Sequence, residues 1–197
     1  TQLFSSNNSS FAEFIFFKDF TLKSVLGVEY YFLAGKQYYN NLIGDGTAYG
    51  GRSQRSRDTY STITWTNTLT YDKTYGDHHV NVLLGTESYY FQNDYLAAEK
   101  RGFDFSDQEL DYGANLITAS SNRTASRDFK YLARANYDYS NRYHLSASYT
   151  YSGTSRFYQD SRWGSFYSFG LGWNIANESF MASTSNIINT LKLRASY

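Results

Sequence analysis

The stretch FKYLARANYDYSNRYHLSASYTY, residues 129–151, alternates apolar and polar side chains along two arms joined by a short polar turn. One side of the two arms carries the apolar and aromatic residues Phe129, Tyr131, Ala133, Ala135, Tyr137, Tyr139, Tyr143, Leu145, Ala147, Tyr149 and Tyr151. Leu132 is the one apolar residue on the opposite, polar side. Because successive side chains of a strand point to opposite faces, this period of two predicts a β-hairpin that turns at 140–142.

The length of the arms indicates a strand that crosses a membrane. Each arm alternates over about ten residues, which suits a tilted transmembrane strand, whereas strands of globular proteins are usually about five or six residues long. The composition agrees, since aromatic residues make up 20% of the chain, with 21 Tyr and 15 Phe. Tyrosine is favoured where one end of the side chain is apolar and the other is wet. The absence of Pro suits a chain that consists mostly of paired strands.

Composition also excludes several classes of function. The formal net charge is zero, so long-range attraction of nucleic acid has no support. The absence of Cys excludes disulfides, thiol chemistry and zinc sites built on Cys. The mean hydropathy is −0.57, and no run approaches the roughly 18 apolar residues of a membrane helix. The chain has no initiator Met and no signal peptide, so we expect a mature protein or a fragment.

The same reasoning along the chain predicts eight strands in an all-β, antiparallel meander of the transmembrane β-barrel type. They lie near 11–17, 21–32, 59–71, 79–91, 129–139, 143–151, 167–175 and 191–197. The predicted turns at 18–19, 72–78 and 140–142 are short, whereas the segments 33–57, 92–128 and 152–165 are long. Outer-membrane barrels have short periplasmic turns and long extracellular loops, so this sorting predicts the sidedness of the chain. The 176–190 connection is predicted to be periplasmic and to hold a short helical turn.

Several motifs in the chain resemble one family. In order, they read LTYDKTYGDHHVNVLLGTE (69–87), RANYDYSNRYHLSASYTYSGTSRF (134–157), SRWGSFYSFGLGW (161–173), ESFM (178–181) and LKLRASY (191–197). In order and spacing they are similar to the barrel of SusC/RagA-type TonB-dependent transporters. The resemblance covers most of 58–197 and fades in the long connections. Two departures, Ser152 at the start of the family's D-G-S-S motif and Tyr167 in place of a Pro, bear on local loop shape.

The resemblance implies that residues 1–197 are part of a barrel domain, about eight of the roughly 22 strands of an outer-membrane transporter. It implies a multi-pass protein of the bacterial outer membrane that imports glycans or oligopeptides. The implied partners are a SusD-like surface lipoprotein, the TonB-ExbB-ExbD complex, the substrate and outer-membrane lipid, with no nucleic acid. No segment resembles the plug domain, so we expect residues 1–197 alone not to transport.

Site chemistry is sparse, and no catalytic constellation stands out, so we expect no enzyme activity and no cofactor. Aromatic residues of the long extracellular segments are the candidates for ligand binding: Tyr38, Tyr39, Tyr49, Tyr95, Phe103 and Tyr112. Each of them could instead pack its own loop or anchor at the membrane interface.

Other motifs favour structural interpretations. The stretch GDGTAYGG (44–51) lacks nucleotide-binding spacing and predicts a loop with positive φ angles. Adjacent His78 and His79 point to opposite faces of a strand and cannot share a metal. The acidic residues Asp104, Asp107, Glu109 and Asp111 miss calcium-loop spacing. Arg52, Arg55 and Arg57 could contact an acidic ligand or lipopolysaccharide phosphates, with plain surface charge as the simpler interpretation.

Two alternatives to the importer remain at this point. The first is a stand-alone eight-stranded barrel that serves as a membrane anchor or adhesin, because eight strands can close around a filled interior. The second is a soluble carbohydrate-binding β-sandwich, which would bury its apolar strand faces against a second sheet.

Overall fold

The computed structural model describes residues 1–104, 107–184 and 187–197, and in these residues it contains one eight-stranded antiparallel sheet. The strands are β1 (Gln2–Phe16), β2 (Phe20–Tyr39), β3 (Arg52–Tyr75), β4 (His78–Phe103), β5 (Gly113–Tyr139), β6 (Tyr143–Thr154), β7 (Trp163–Asn174) and β8 (Lys192–Ser196). Each strand pairs with the next along the chain, so the sheet is the predicted meander. The polar connections carry short 3₁₀ helices at Gly44–Tyr49, Leu110–Tyr112, Gln159–Ser161, Ile175–Asn177 and Ser179–Thr184.

The hairpin at 129–151 forms in the predicted register. Ala135 pairs with Ala147 and Tyr139 with Tyr143 across β5 and β6, which puts the apolar residues of both arms on one face. The turn contains two consecutive left-handed residues, Ser140 at φ 52° and Asn141 at φ 54°. Asn tolerates this conformation, and such a pair matches the right-handed twist of the flanking strands. The local sequence therefore suffices to define this hairpin.

The strands β2 to β5 are much longer than the sequence predicts. Most of 33–57 and 92–128 is strand rather than loop, and the described residues of these segments that lie outside the strands are 40–51, 104 and 107–112. In these segments polar side chains occupy both faces, so the period of two is hidden from sequence reasoning. The pairing nevertheless forms, because ladder hydrogen bonds join backbone groups whatever the side chains are. The predicted loop boundaries were wrong for this reason.

The alternation of connection lengths is confirmed with the revised boundaries. The chain turns tightly at 17–19, 76–77 and 140–142, and makes longer connections at 40–51, 104–112 and 155–162. The connection from β7 to β8 contains two of the short 3₁₀ helices, as the sequence predicted for 176–190.

The residues divide into two compact units. Unit 1 comprises Thr1–Ser9, Gly27–Ile63 and Tyr90–Ser126, and unit 2 comprises Ser10–Leu26, Thr64–Tyr89 and Arg127–Tyr197. The only buried apolar side chains among the described residues are Ala97 and Phe103, both in unit 1. A soluble sandwich would instead bury the apolar faces of two sheets against each other. The single sheet with its exposed apolar face does not fit the sandwich interpretation.

The order of the strands bears on the alternative of a stand-alone, closed eight-stranded barrel. Among the described residues, β1 and β8 stand at opposite ends of the order, each with one neighbouring strand. A closed eight-stranded barrel requires these two strands to pair. The order found here is that of an open meander.

Candidate ligand-binding site

Unit 2 carries an apolar band between two rows of aromatic rings. At one end of β5, β6 and β7, Tyr143 stacks between Tyr139 and Trp173, with ring centroids 6.3 and 6.4 Å apart. At the other end, Tyr151 stacks on Trp163 at 4.8 Å. The two rows are eight residues apart on β6, which is about 27 Å along a strand.

The side chains between these rows are apolar and exposed. Leu145 pairs with Leu171, and Ala147 with Phe169. The exposed fraction is 59% for Leu171 and 55% for Phe169. An outward apolar band about 25 Å tall between aromatic girdles is typical of a transmembrane barrel.

The opposite face of unit 2 is polar. Lys130 donates to Glu87 at 2.7 Å, and the hydroxyls of Ser148 and Ser168 lie 2.7 Å apart across β6 and β7. Such pairing is expected of residues that line an aqueous interior. Among the described residues no helix is both long and apolar enough to cross a membrane.

Unit 1 brings two of the six predicted aromatic residues together. Tyr39 at the end of β2 and Tyr49 at the end of the first 3₁₀ helix line one hollow of about 520 Å³, together with Asp45, Thr47 and Arg52. The rings are partly exposed, at 37% for Tyr39 and 45% for Tyr49. The hollow therefore offers two accessible aromatic surfaces beside charged and hydroxyl groups.

The other four predicted residues lie elsewhere, and several belong to strands rather than loops. Phe103 ends β4, is only 2% exposed and meets Tyr38 edge to face at 5.8 Å, so this pair packs the interior of unit 1. Tyr95 lies within β4, beside a different hollow. Tyr112 is 56% exposed in the 3₁₀ helix at Leu110–Tyr112.

A buried carboxylate organises the charges at the Tyr39–Tyr49 hollow. Glu99 accepts from Arg52 at 2.8 Å and from Arg101 at 3.0 Å, and its side chain is 8% exposed. The two guanidinium groups also cover aromatic rings, Arg52 over Tyr39 at 5.6 Å and Arg101 over Tyr49 at 4.1 Å. Each tyrosine is thus held in place by a cation that Glu99 fixes.

Sequence reasoning missed Glu99 and Arg101 because they fall in a segment that it assigned to a loop. The available signal was the spacing of two, since Glu99 and Arg101 share one face of a strand. The glycine-rich stretch was interpreted correctly. Gly50 and Gly51 have φ angles of 62° and 89°, and their carbonyls accept bonds from Phe103 and Gly102.

The three arginines near this stretch have different partners. Arg52 binds Glu99, Arg55 binds Glu109 at 3.0 Å, and Arg57 covers the ring of Phe32 at 4.9 Å. The bond from Arg55, followed by a bond from Lys36, holds the pKa of the Glu109 carboxyl below its ordinary value.

The histidines and the acidic cluster do not come together. His78 bonds the hydroxyl of Tyr137 and His79 bonds the carboxylate of Asp72. Among the described residues, no group of three or more His, Asp or Glu side chains is arranged to hold a metal.

The sequence is similar to TonB-dependent receptors. It is 34% identical over 124 residues to the TonB-dependent receptor SusC of Bacteroides thetaiotaomicron, covering 63% of this chain. It is 32% identical over 156 residues to receptor P3 and 34% identical over 144 residues to receptor P39 of Formosa agariphila, covering 77% and 66% of this chain. The chain spans 12–15% of the length of these relatives. No family model matches the chain.

The fold has counterparts among solved structures. A chain of the RagAB peptide transporter superposes with a TM-score of 0.90, covering 98% of this chain and 22% of that chain. The RagAB peptide importer in its open-open state gives a TM-score of 0.89. At 24% identity these similarities concern the fold. In sequence and in fold, the chain matches part of the SusC/RagA-type TonB-dependent receptors.

Proposed function

We propose that this chain forms part of the wall of an outer-membrane importer. The observation that carries the proposal is the exposed apolar band of unit 2, bounded by the Tyr139–Tyr143–Trp173 row and the Tyr151–Trp163 pair. In water this surface would promote aggregation, whereas in a bilayer it is the lipid-facing surface that a barrel needs. The paired polar residues of the opposite face then line the lumen.

The sidedness follows from the connections. We place the tight turns at 17–19, 76–77 and 140–142 in the periplasm and the longer connections outside the cell. The Tyr39–Tyr49 hollow includes residues of the 40–51 connection, so the proposal exposes it to solutes that approach from outside.

The solute that best fits this hollow is an oligosaccharide. A sugar ring presents C–H groups that pack on aromatic faces and hydroxyl groups that bond to carboxylates, guanidinium groups and Thr. Tyr39 and Tyr49 supply the faces, and Asp45, Thr47 and Arg52 supply the polar groups. Tyr95 and Tyr112, exposed elsewhere in unit 1, are further candidates for contact. We further propose a SusD-like lipoprotein as the outer partner and the TonB-ExbB-ExbD complex as the energy source.

The experiment uses the full-length receptor in a host strain that lacks its chromosomal copy. The strain is grown on panels of single oligosaccharides and of oligopeptides, each as the sole carbon source. We expect the wild-type gene to restore growth on an oligosaccharide, and the double change Tyr39→Ala with Tyr49→Ala to reduce uptake at least tenfold. Tyr158→Ala is the matched control, because Tyr158 is 92% exposed in another connection and outside the hollow.

Three outcomes would contradict parts of this proposal. Restored growth on oligopeptides alone would replace the glycan with a peptide. Equal uptake by the double variant and by Tyr158→Ala would remove the hollow from the import route. If the strain that lacks the receptor grew as well as the wild type on every panel, the import function would be overturned.

A further inference from the structure

A second hollow of unit 1 lies on the face that carries the apolar residues. Along β2, Val28, Tyr30 and Phe32 share one face, and Arg57 of β3 covers the ring of Phe32 at 4.9 Å. Because side chains alternate along a strand, Arg57 and Thr59 share a face of β3 with Ile63. The apolar stripe of unit 1 therefore ends at a guanidinium group.

Beside this arginine is a hollow of about 400 Å³. Arg57 and Arg123 line it together with Thr59, Ser121 and Leu96. Arg123 is paired with Asp94, which also lines the hollow. Arg57 makes no ion pair with any carboxylate among the described residues. The donors thus include one guanidinium group that pairs with no carboxylate.

A further arginine lies along the same strand. Arg55, two residues before Arg57 on β3, shares the carboxylate of Glu109 with Lys36, at 3.0 and 3.2 Å. Arg123 has Asp94 as its partner, so Arg57 is the arginine of this group whose charge meets no carboxylate of the described residues. An anionic group in the hollow would supply that partner.

We propose that this hollow binds the phosphate headgroup of lipid A, an anionic lipid of the outer leaflet. Guanidinium groups bind phosphate oxygens in pairs, and the Ser121 and Thr59 hydroxyls add neutral donors. The adjoining stripe of Val28, Tyr30 and Phe32 gives the acyl chains an apolar surface, which a free phosphate does not need. The inference rests on the proposed membrane location of the receptor.

The test measures lipid binding by the full-length receptor, purified in neutral detergent and stripped of lipid. The probes are bisphosphorylated lipid A, the same lipid after removal of its phosphates, and inorganic phosphate. Bound lipid is counted by native mass spectrometry, and the midpoint of thermal unfolding of the receptor is measured as a function of probe concentration. We expect only phosphorylated lipid A to bind at micromolar concentration and to raise the midpoint.

The variants isolate the hollow. The double change Arg57→Gln with Arg123→Gln should weaken lipid A binding at least tenfold. Arg57→Lys, which keeps the charge but loses the paired donors, should weaken it severalfold and serves if the double variant does not assemble. Arg194→Gln is the control, because Arg194 lies in β8 and does not line this hollow, so this variant should bind lipid A as the wild type does.

Several results would overturn the proposal. These are wild-type affinity in the Arg57 variants, equal binding of the dephosphorylated lipid, or competition by inorganic phosphate at the concentrations at which lipid A binds. The last result would leave a plain phosphate site. Uptake assays on the same variants keep this test separate from the import function, since the Arg57 variants should still transport.

Discussion

The carboxylate of Glu178 accepts a hydrogen bond from the indole N–H of Trp173 at 2.9 Å, which ties the connection after β7 to the end of that strand. Arg142, in the preceding hairpin turn, lies 3.8 Å from the same carboxylate. The side chain of Glu178 is 10% exposed. One acidic residue thus joins a long connection to the aromatic row at this edge of unit 2.

The pH dependence of stability should report this contact. Hydrogen bonds from Tyr143 first and then from Trp173, with the nearby charge of Arg142, hold the pKa of Glu178 below its ordinary value. The carboxylate therefore contributes stability above its unfolded pKa of about 4.3, and that contribution is lost as the pH falls through the lower folded pKa. We expect the urea midpoint of the full-length receptor to exceed that of Glu178→Gln at pH 7, and the difference to shrink towards pH 3. A difference that is constant with pH would show that the charge of Glu178 is not involved.

Arginine substitutions should distinguish the two faces of the sheet. Leu171 lies in the apolar band, whereas Ser146 lies on the polar face opposite Gly170, which leaves room for a larger side chain. An Arg on the lipid face near the midplane costs about 2–4 kcal/mol, and one in the lumen costs much less. Leu171→Arg should impair assembly of the full-length receptor in a heat-modifiable gel shift, and Ser146→Arg should not. Equal gel shifts for the two variants would contradict the assignment of Leu171 to the lipid face and of Ser146 to the lumen.

Thiol labelling should report sidedness. Cys placed at Tyr49 or at Asn115, near the start of β5, should react with a membrane-impermeant reagent on intact cells. Cys at Asp77, in the tight turn between β3 and β4, should react only after the outer membrane is opened. Asp77 is preferable to Asn141, whose φ of 54° disfavours Cys. Labelling of position 77 on intact cells would invert the topology.

The packing of Trp163 over Gly153 should not tolerate an added methyl group. A Cβ at Gly153 would lie 2.6 Å from the Trp163 ring, which is stacked on Tyr151. Displacing the ring should destabilise the receptor by about 1–3 kcal/mol. Gly164→Ala is the matched control, because there the nearest atoms would be 3.4 Å away. Equal unfolding midpoints for the two alanine variants would contradict this packing.

Removing the buried carboxylate of Glu99 should loosen unit 1. Glu99→Ala leaves Arg52 and Arg101 without their shared partner, and an unpaired, partly buried polar group costs about 1–3 kcal/mol. Amide hydrogen exchange should quicken around 39–52 and 99–103 while the strands of unit 2 keep their protection. Lys18→Gln, a change of charge in a turn of unit 2, should leave both patterns as in the wild type. Identical hydrogen exchange in the wild type and in Glu99→Ala would show that the carboxylate does not organise the hollow.

The sequence by itself determined the hairpins of unit 2, because each of them repeats one rule locally. Alternation from Phe129 to Tyr151 defines the strands and their faces, and Ser140 and Asn141 supply the left-handed turn that fixes the register. The order of apolar and polar residues is enough there, since one face must avoid water. The likeness of residues 134–157 to a transporter barrel rests on the same stretch.

Only the tertiary structure decided the extent of the strands in unit 1 and the make-up of its two hollows. Segments such as 92–103 are polar on both faces, so their strand form depends on hydrogen bonds to neighbouring strands that no local pattern encodes. The Tyr39–Tyr49 hollow likewise takes Tyr39 and Arg52 from separate strands, because β2 and β3 pair. A pattern of single residues can place each side chain on a face, but only the pairing of strands brings distant residues to one site.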